Sequence, residues 1–260
     1  MIETPPSGDG LAAILRARTG LHWENIDFVK PYAGSTNLDP YQAPILYRNV
    51  LEEGSFLEMG ALEFSEGQPQ VNADRPTVYY IEEKLKIGGR DHQQLTFLWT
   101  RKSGVAGEIS LRGLRLTYDS EGFPAIYEVL KDTSGMQLFY VSRNLEQGAM
   151  KEFGAPLDGR DFAIEPAFEE RPDVVVIRIV EQGPKPSGPI VYSASLSGDL
   201  KTLHCRCKSS QITSIRTMIE YEMEPWIGLD AKARESTFGP LGGFQPADWP
   251  VLSLRLPVSF

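Results

Sequence analysis

The chain has 260 residues, 41% hydrophobic and 23% charged, which is the make-up of a soluble globular protein able to bury a core without covalent staples. A formal charge of −9 and a pI near 5.0 exclude sequence-independent binding of DNA or RNA, which needs clustered Lys and Arg, and disfavour anionic membrane surfaces. No stretch approaches the ~20 apolar residues of a spanning helix, and the first residues lack the basic and apolar parts of a leader, so no nucleic-acid or membrane partner and a cytoplasmic location are expected.

The first expected element is a helix, with Leu11, Ile14, Leu15 and Arg18 as its stripe and Gly20 as its C-terminal cap. A long loop without periodicity covers about 22–44 and carries Tyr32 and Tyr41. Residues 45–51 and 56–64 read as strands. From Tyr79 onward Tyr79, Ile81, Glu83, Leu85 and Ile87 alternate with Tyr80, Glu82, Lys84 and Lys86, the period of a half-buried strand. Gly88 and Gly89 then turn the chain, and Leu95, Phe97 and Trp99 alternate on the way back, which predicts a β-hairpin.

In the next strand Ile109 and Leu111 fall out of step with Leu114, Leu116 and Tyr118, which predicts a β-bulge at Gly113. Strands at 125–130 and 136–141 follow, each after a turn. A second short helix is expected with Asn144 as N-cap, Gln147 three residues on, a Leu145–Ala149–Phe153 stripe and Gly154 at its end. Residues 173–180 are apolar on both faces, as in a central strand. Strands at 190–196 and 200–207 flank the turn at Ser197, Gly198 and Asp199. Residues 213–223 read as strand, because β-branched and apolar positions alternate with Arg216, Glu220 and Glu222.

A second long loop, about 225–250, holds Trp226, Phe238, Phe244 and Trp249. Leu252, Leu254, Leu256, Val258 and Phe260 complete the chain as an alternating strand, whose edge could pair with a second copy in a homo-oligomer. Roughly a dozen strands joined by short turns predict a mainly β fold: one domain over 1–260, a large antiparallel β-sandwich or partly closed barrel with two short helices.

Three groups of residues point to chemistry. The tetrapeptide His204-Cys205-Arg206-Cys207 holds both cysteines. On a strand Cys205 and Cys207 share a face and could chelate zinc, with His92 as a further ligand and His22 a remoter one; regular strand geometry suits a disulfide poorly, and Leu203, Cys205 and Cys207 also make one apolar, core-like face. Glu220, Glu222 and Glu224 share the opposite kind of face, with roughly 6.5–7 Å between successive Cα atoms. Paired carboxylates near that spacing serve glycoside hydrolysis, although alternation equally predicts an exposed strand face. Finally Trp226, Phe238, Phe244, Trp249, Tyr32 and Tyr41 could line a pocket in the mouth of a β-scaffold or pin the loops to the sheet. No phosphate-cradling glycine loop and no nucleophile elbow occur. The leading expectation is a soluble β-rich binding or interaction protein without a cofactor, its ligand a small molecule or glycan held by the aromatic loops. The alternatives are a zinc enzyme built on Cys205 and Cys207, or a glycosidase built on Glu220, Glu222 or Glu224.

Overall fold

The computed structural model describes residues 13–15, 26–32, 34, 38–49, 59–66, 68–102, 109–193, 198–206, 215–226, 231–238 and 246–260. The fold is mainly β. Strands β1 (Ile26–Pro31) and β2 (Ile45–Asn49) pair antiparallel, and β3 (Met59–Ser65) and β4 (Gln68–Asn72) form a hairpin. Strands β5 (Thr77–Ile87), β6 (Arg90–Lys102), β7 (Ile109–Tyr118), β8 (Pro124–Leu130) and β9 (Gln137–Ser142) form an antiparallel meander. Helix α1 (Arg143–Phe153) crosses over from β9 to the parallel strand β10 (Val174–Val180). Strands β11 (Ile190–Ser193), β12 (Leu200–His204) and β13 (Ile215–Pro225) follow, then helices α2 (Ala231–Phe238) and α3 (Trp249–Ser253).

Among the described residues the thirteen strands belong to one sheet, ordered β10-β9-β8-β7-β6-β5-β13-β1-β2-β11-β12, with β3 joining the end of β6 and β4 pairing β3. The sheet curls into a nearly closed barrel. Its two end strands meet at a seam, where Arg178 of β10 donates to the Leu203 carbonyl of β12 and lies against the His204 ring.

Alternation sorts the side chains. The inward set, including Phe97, Trp99, Tyr118, Tyr127, Tyr140 and Tyr221, packs into one core inside the barrel. Outward residues are also covered over much of the sheet. Leu85, Ile87, Ile126, Phe139 and Val176 pack against Leu145 and Ala149 of α1 and against Leu254 and Phe260. Farther along the same face Leu62, Tyr79, Leu98, Leu111 and Leu130 gather around Trp226, with Phe238 of α2 against them.

Several expectations change. The pairing is mixed: β1/β13, β5/β13, β2/β11 and β9/β10 run parallel. Apart from β9/β10, which brackets a helix, these join segments far apart in the chain, and alternation carries no information about such partners. The loop at 22–44 contains β1, whose Asp27 is buried and so breaks the polar-out pattern. No bulge occurs at Gly113, since β6 and β7 pair without a break from Gln94↔Thr117 to Lys102↔Ile109. The change of step arises because Ile109 and Leu111 face the outer cluster while Leu114, Leu116 and Tyr118 face the core.

Strand β10 is apolar on both faces, yet it stands at the end of the strand order rather than in its middle. The N-cap of α1 is Ser142, whose Oγ accepts from the Leu145 amide, while Asn144 donates to Gln182. The final alternating stretch is not a strand: α3 occupies 249–253, and 254–260 is irregular. Pro250 and Pro257 cannot donate to a ladder, and the apolar spacing anchors Leu254 and Phe260 to the sheet's outer face, so this segment offers no strand edge to a second copy. With α2 and α3 in the 225–250 region, three short helices follow the described part of the first, Ala13–Leu15, of which Leu15 is buried in the core.

Two outcomes test these assignments. A Cβ on Gly113 would sit 2.6 Å from both the Phe97 carbonyl oxygen and Leu98 Cδ2. Gly113→Ala should therefore cost about 1–3 kcal/mol, read as a lower denaturation midpoint with an unchanged slope. Ser142→Ala should cost about 1 kcal/mol as a lost cap, and Asn144→Ala clearly less; the opposite ranking would move the cap to Asn144.

Candidate functional site

Three elements converge on a polar cleft at one end of β7. The first is the β7–β8 turn, where Asp119 Oδ1 accepts from the amides of Glu121 (3.0 Å) and Phe123 (2.9 Å) and so fixes the loop. The second is the start of α1, where the Ser142 cap leaves Asn144 on the surface, its amide donating to Gln182 Oε1 at 2.5 Å. Gln182 in turn donates to Asp119 Oδ2 at 3.4 Å, tying the two elements together. The third is the end of the chain. Arg90 donates to the carbonyls of Val258 (3.1 Å) and Ser259 (3.0 Å), and the Phe260 ring stacks on His92 with centroids 4.7 Å apart. Between them lies a cavity of about 170 Å³, lined among others by Asp119, Glu121, Ser142, Asn144, Ser259 and Phe260.

A second polar group lies on the sheet's outer face between the two apolar clusters. Arg115 of β7 and Glu128 of β8 are cross-strand partners, and Arg115 Nη1 donates both to Glu128 Oε2 (2.9 Å) and to the Pro246 carbonyl (2.8 Å). Beside them Gln94 of β6 donates to Thr117 Oγ1 and to the Ala247 carbonyl, each at 3.0 Å. All four side chains are buried beneath the 246–248 segment. Burial pushes the Glu128 carboxyl up to about 7, against the opposing pull of the Arg115 guanidinium.

The expected site residues scatter. His92 is buried on β6, and because the Tyr118 carbonyl 2.8 Å away can only accept, its Nδ1 is the donor. Cys205 lies just past the end of β12, in the barrel core with Leu203, and its sulfur is in a disulfide. The poor fit expected for a disulfide assumed regular strand, which stops at His204. A bridged sulfur offers no thiolate, and no group of three His, Cys, Asp or Glu able to hold a metal occurs among the described residues. Cys207, His22 and Phe244 lie outside the described residues.

Glu220, Glu222 and Glu224 share the outer face of β13, as alternation predicts. Lys30 pairs with Glu220 at 3.1 Å, and Arg75 with Glu224 at 3.0 Å and Glu222 at 3.9 Å. The described aromatics do not gather in one place. Trp226 is buried edge-on against Tyr79, with Phe238 beside it and Arg234 over its ring. Trp249 donates to Gln137 Oε1 at 2.5 Å beneath Arg171. Tyr32 and Tyr41 are exposed, the latter under Arg206. The phenols inside the barrel are inert at neutral pH, because burial raises the pKa of Tyr118, Tyr127 and Tyr221.

The sequence reading missed Asp119, Ser142 and Ser259 as a set, and the Arg115–Glu128 pair. A turn Asp and a cap Ser carried local signals, but nothing local joins them to a segment over a hundred residues on. No known family, no curated protein and no solved structure matches the chain.

Proposed function

We propose that the protein is a non-catalytic binding protein that seats a small polar ligand in the cleft between the β7–β8 turn, the start of α1 and the end of the chain. One observation carries this reading: hydroxyl, amide and carboxylate groups from three elements face a common cavity on the outside of a barrel whose described inward side chains pack into one apolar core. At about 170 Å³ that cavity falls below the roughly 300–1,000 Å³ of drug-sized sites, which suits a single sugar ring or a small amine. Asp119 and Glu121 favour hydroxyl or ammonium donors over anions, in keeping with the chain's charge of −9. The small-molecule or glycan expectation is thus kept, and its seat moves away from the aromatic loops, where Trp226 and Trp249 are engaged in packing.

The rival enzymes have less support. The zinc reading needs thiolates that a disulfide at Cys205 withholds, and the glycosidase reading rests on carboxylates already paired with Lys30 and Arg75. Among the described residues no helix is long and apolar enough to cross a membrane. The composition supports a soluble protein. Its cytoplasmic placement rests on the low cysteine count, and the disulfide at Cys205 weighs against it.

Titration with glucosamine, glucose and glucuronate, followed by amide NMR, tests the proposal. Glucosamine should shift the amides of residues 119–121, 144 and 259 most and glucuronate least, and Ser259→Trp, which fills the cleft, should weaken binding at least tenfold. The absence of a cleft shift with every probe, or equal binding by the filled variant, would end it.

A further inference from the structure

We propose that residues 246–260 are a releasable strap across the outside of the barrel, latched at one end by Arg115 and Gln94, whose opening exposes the polar cleft at its other end. The attachment of this segment differs from that of every strand. Among the described residues it takes no part in a sheet ladder; side chains of the sheet hold its carbonyls instead. Arg115 and Gln94 grip Pro246 and Ala247, and Arg90 grips Val258 and Ser259. Trp249 reaches Gln137, and one backbone bond joins Arg255 to the Ile164 carbonyl. Leu254 and Phe260 anchor it in the outer apolar cluster, while Leu252 and Val258 stay 62% and 77% exposed. Pro257, Ser259 and Phe260 form one wall of the cleft, so lifting the strap removes that wall.

The latch depends on charge. Arg115 Nη1 is shared between the strap and Glu128, and the closed strap is what keeps water from that carboxylate. Closed, Glu128 holds its proton up to about pH 7; open and hydrated, it returns toward the ordinary 4.5. The closed form therefore binds more protons between these values. Its advantage is complete below the ordinary carboxylate range and is lost as pH rises through about 7. This linkage raises the open fraction about tenfold between pH 6 and pH 8.

Arg115 is the charged group that acts on Glu128. Asp248, on the strap, is exposed. Asp173, near Trp249, is held below the usual carboxylate range by hydrogen bonds from Arg171 and adds no step in this window. His92 stacks on Phe260 at the far end of the strap, away from Glu128.

Hydrogen exchange of the full chain without ligand, corrected for intrinsic rates, decides the matter. Protection of amides 251–256 should fall about tenfold from pH 6 to pH 8 while the β6–β7 ladder stays constant. In Glu128→Gln the strap should show no such fall. A flat wild-type profile, or the same fall in Glu128→Gln, overturns the proposal. Should that variant not fold, Trp249→Phe gives a second reading: strap protection drops at every pH with the midpoint unmoved, and unchanged protection counts against the strap. Only the role of the strap in exposing a ligand site rests on the binding reading above. A pH-dependent strap with no ligand shift would discard the cleft as a binding site and leave the strap standing.

Discussion

Strand β13 hydrogen-bonds along both edges, parallel to β5 on one side and to β1 on the other, and this double pairing joins the two halves of the barrel. Without it the meander β5–β10 and the group β1-β2-β11-β12 would be separate sheets, each with an uncovered apolar face. The side chains of β13 show how strict the constraint is. Tyr221 and Met223 enter the core, and Glu220, Glu222 and Glu224 stand outside beside Lys30 and Arg75. A slip by one residue would put three carboxylates into an apolar interior, so register and closure are fixed by the same alternation.

Among the described residues the buried Arg115–Glu128 pair and the polar cleft both lie outside the barrel's apolar core. The outer face of β5–β10 is itself buried by α1, α2 and the end of the chain, and this creates conditions that a simple barrel lacks: a buried Arg115–Glu128 pair, a buried His92 and a cleft at the margin of the cover. A buried guanidinium–carboxyl pair is a poor source of stability, because desolvation offsets most of the attraction. Here its guanidinium also holds a carbonyl of the covering segment, which gives the pair a positional role that an apolar pair of the same size could not fill.

Much of the fold was legible in the sequence. The period-2 runs at Tyr79–Ile87 and Leu95–Trp99, and the choice of strand over helix at Ile215–Met223, follow from local alternation, and the structure bears them out. What failed depended on distant partners. Arg115 and Glu128 occupy positions that alternation assigns to solvent, and the segment that holds Arg115 from outside, at Pro246, lies more than a hundred residues away. The pattern Leu252–Leu254–Leu256 alternates like a strand, yet Leu252 lies in α3 and is exposed, while Leu254, Leu256 and Phe260 reach the sheet from irregular chain. Cys205 was expected on a strand; one residue beyond β12 the rule that gives i and i+2 a common face no longer applies. The cleft was invisible for the same reason as the latch, since its walls come from residues 119–121, 142–145 and 257–260.

The β3–β4 hairpin has a consequence for how the protein behaves in a crowded solution. Among the described residues strand β4 pairs with β3 alone, so its far side is a place where a foreign chain could extend the sheet. That side is only five residues long, reads Gln-Pro-Gln-Val-Asn and carries Pro69, which has no amide proton to offer a newcomer. With the seam between β10 and β12 bridged by Arg178, the molecule presents poor templates for runaway stacking despite its high strand content.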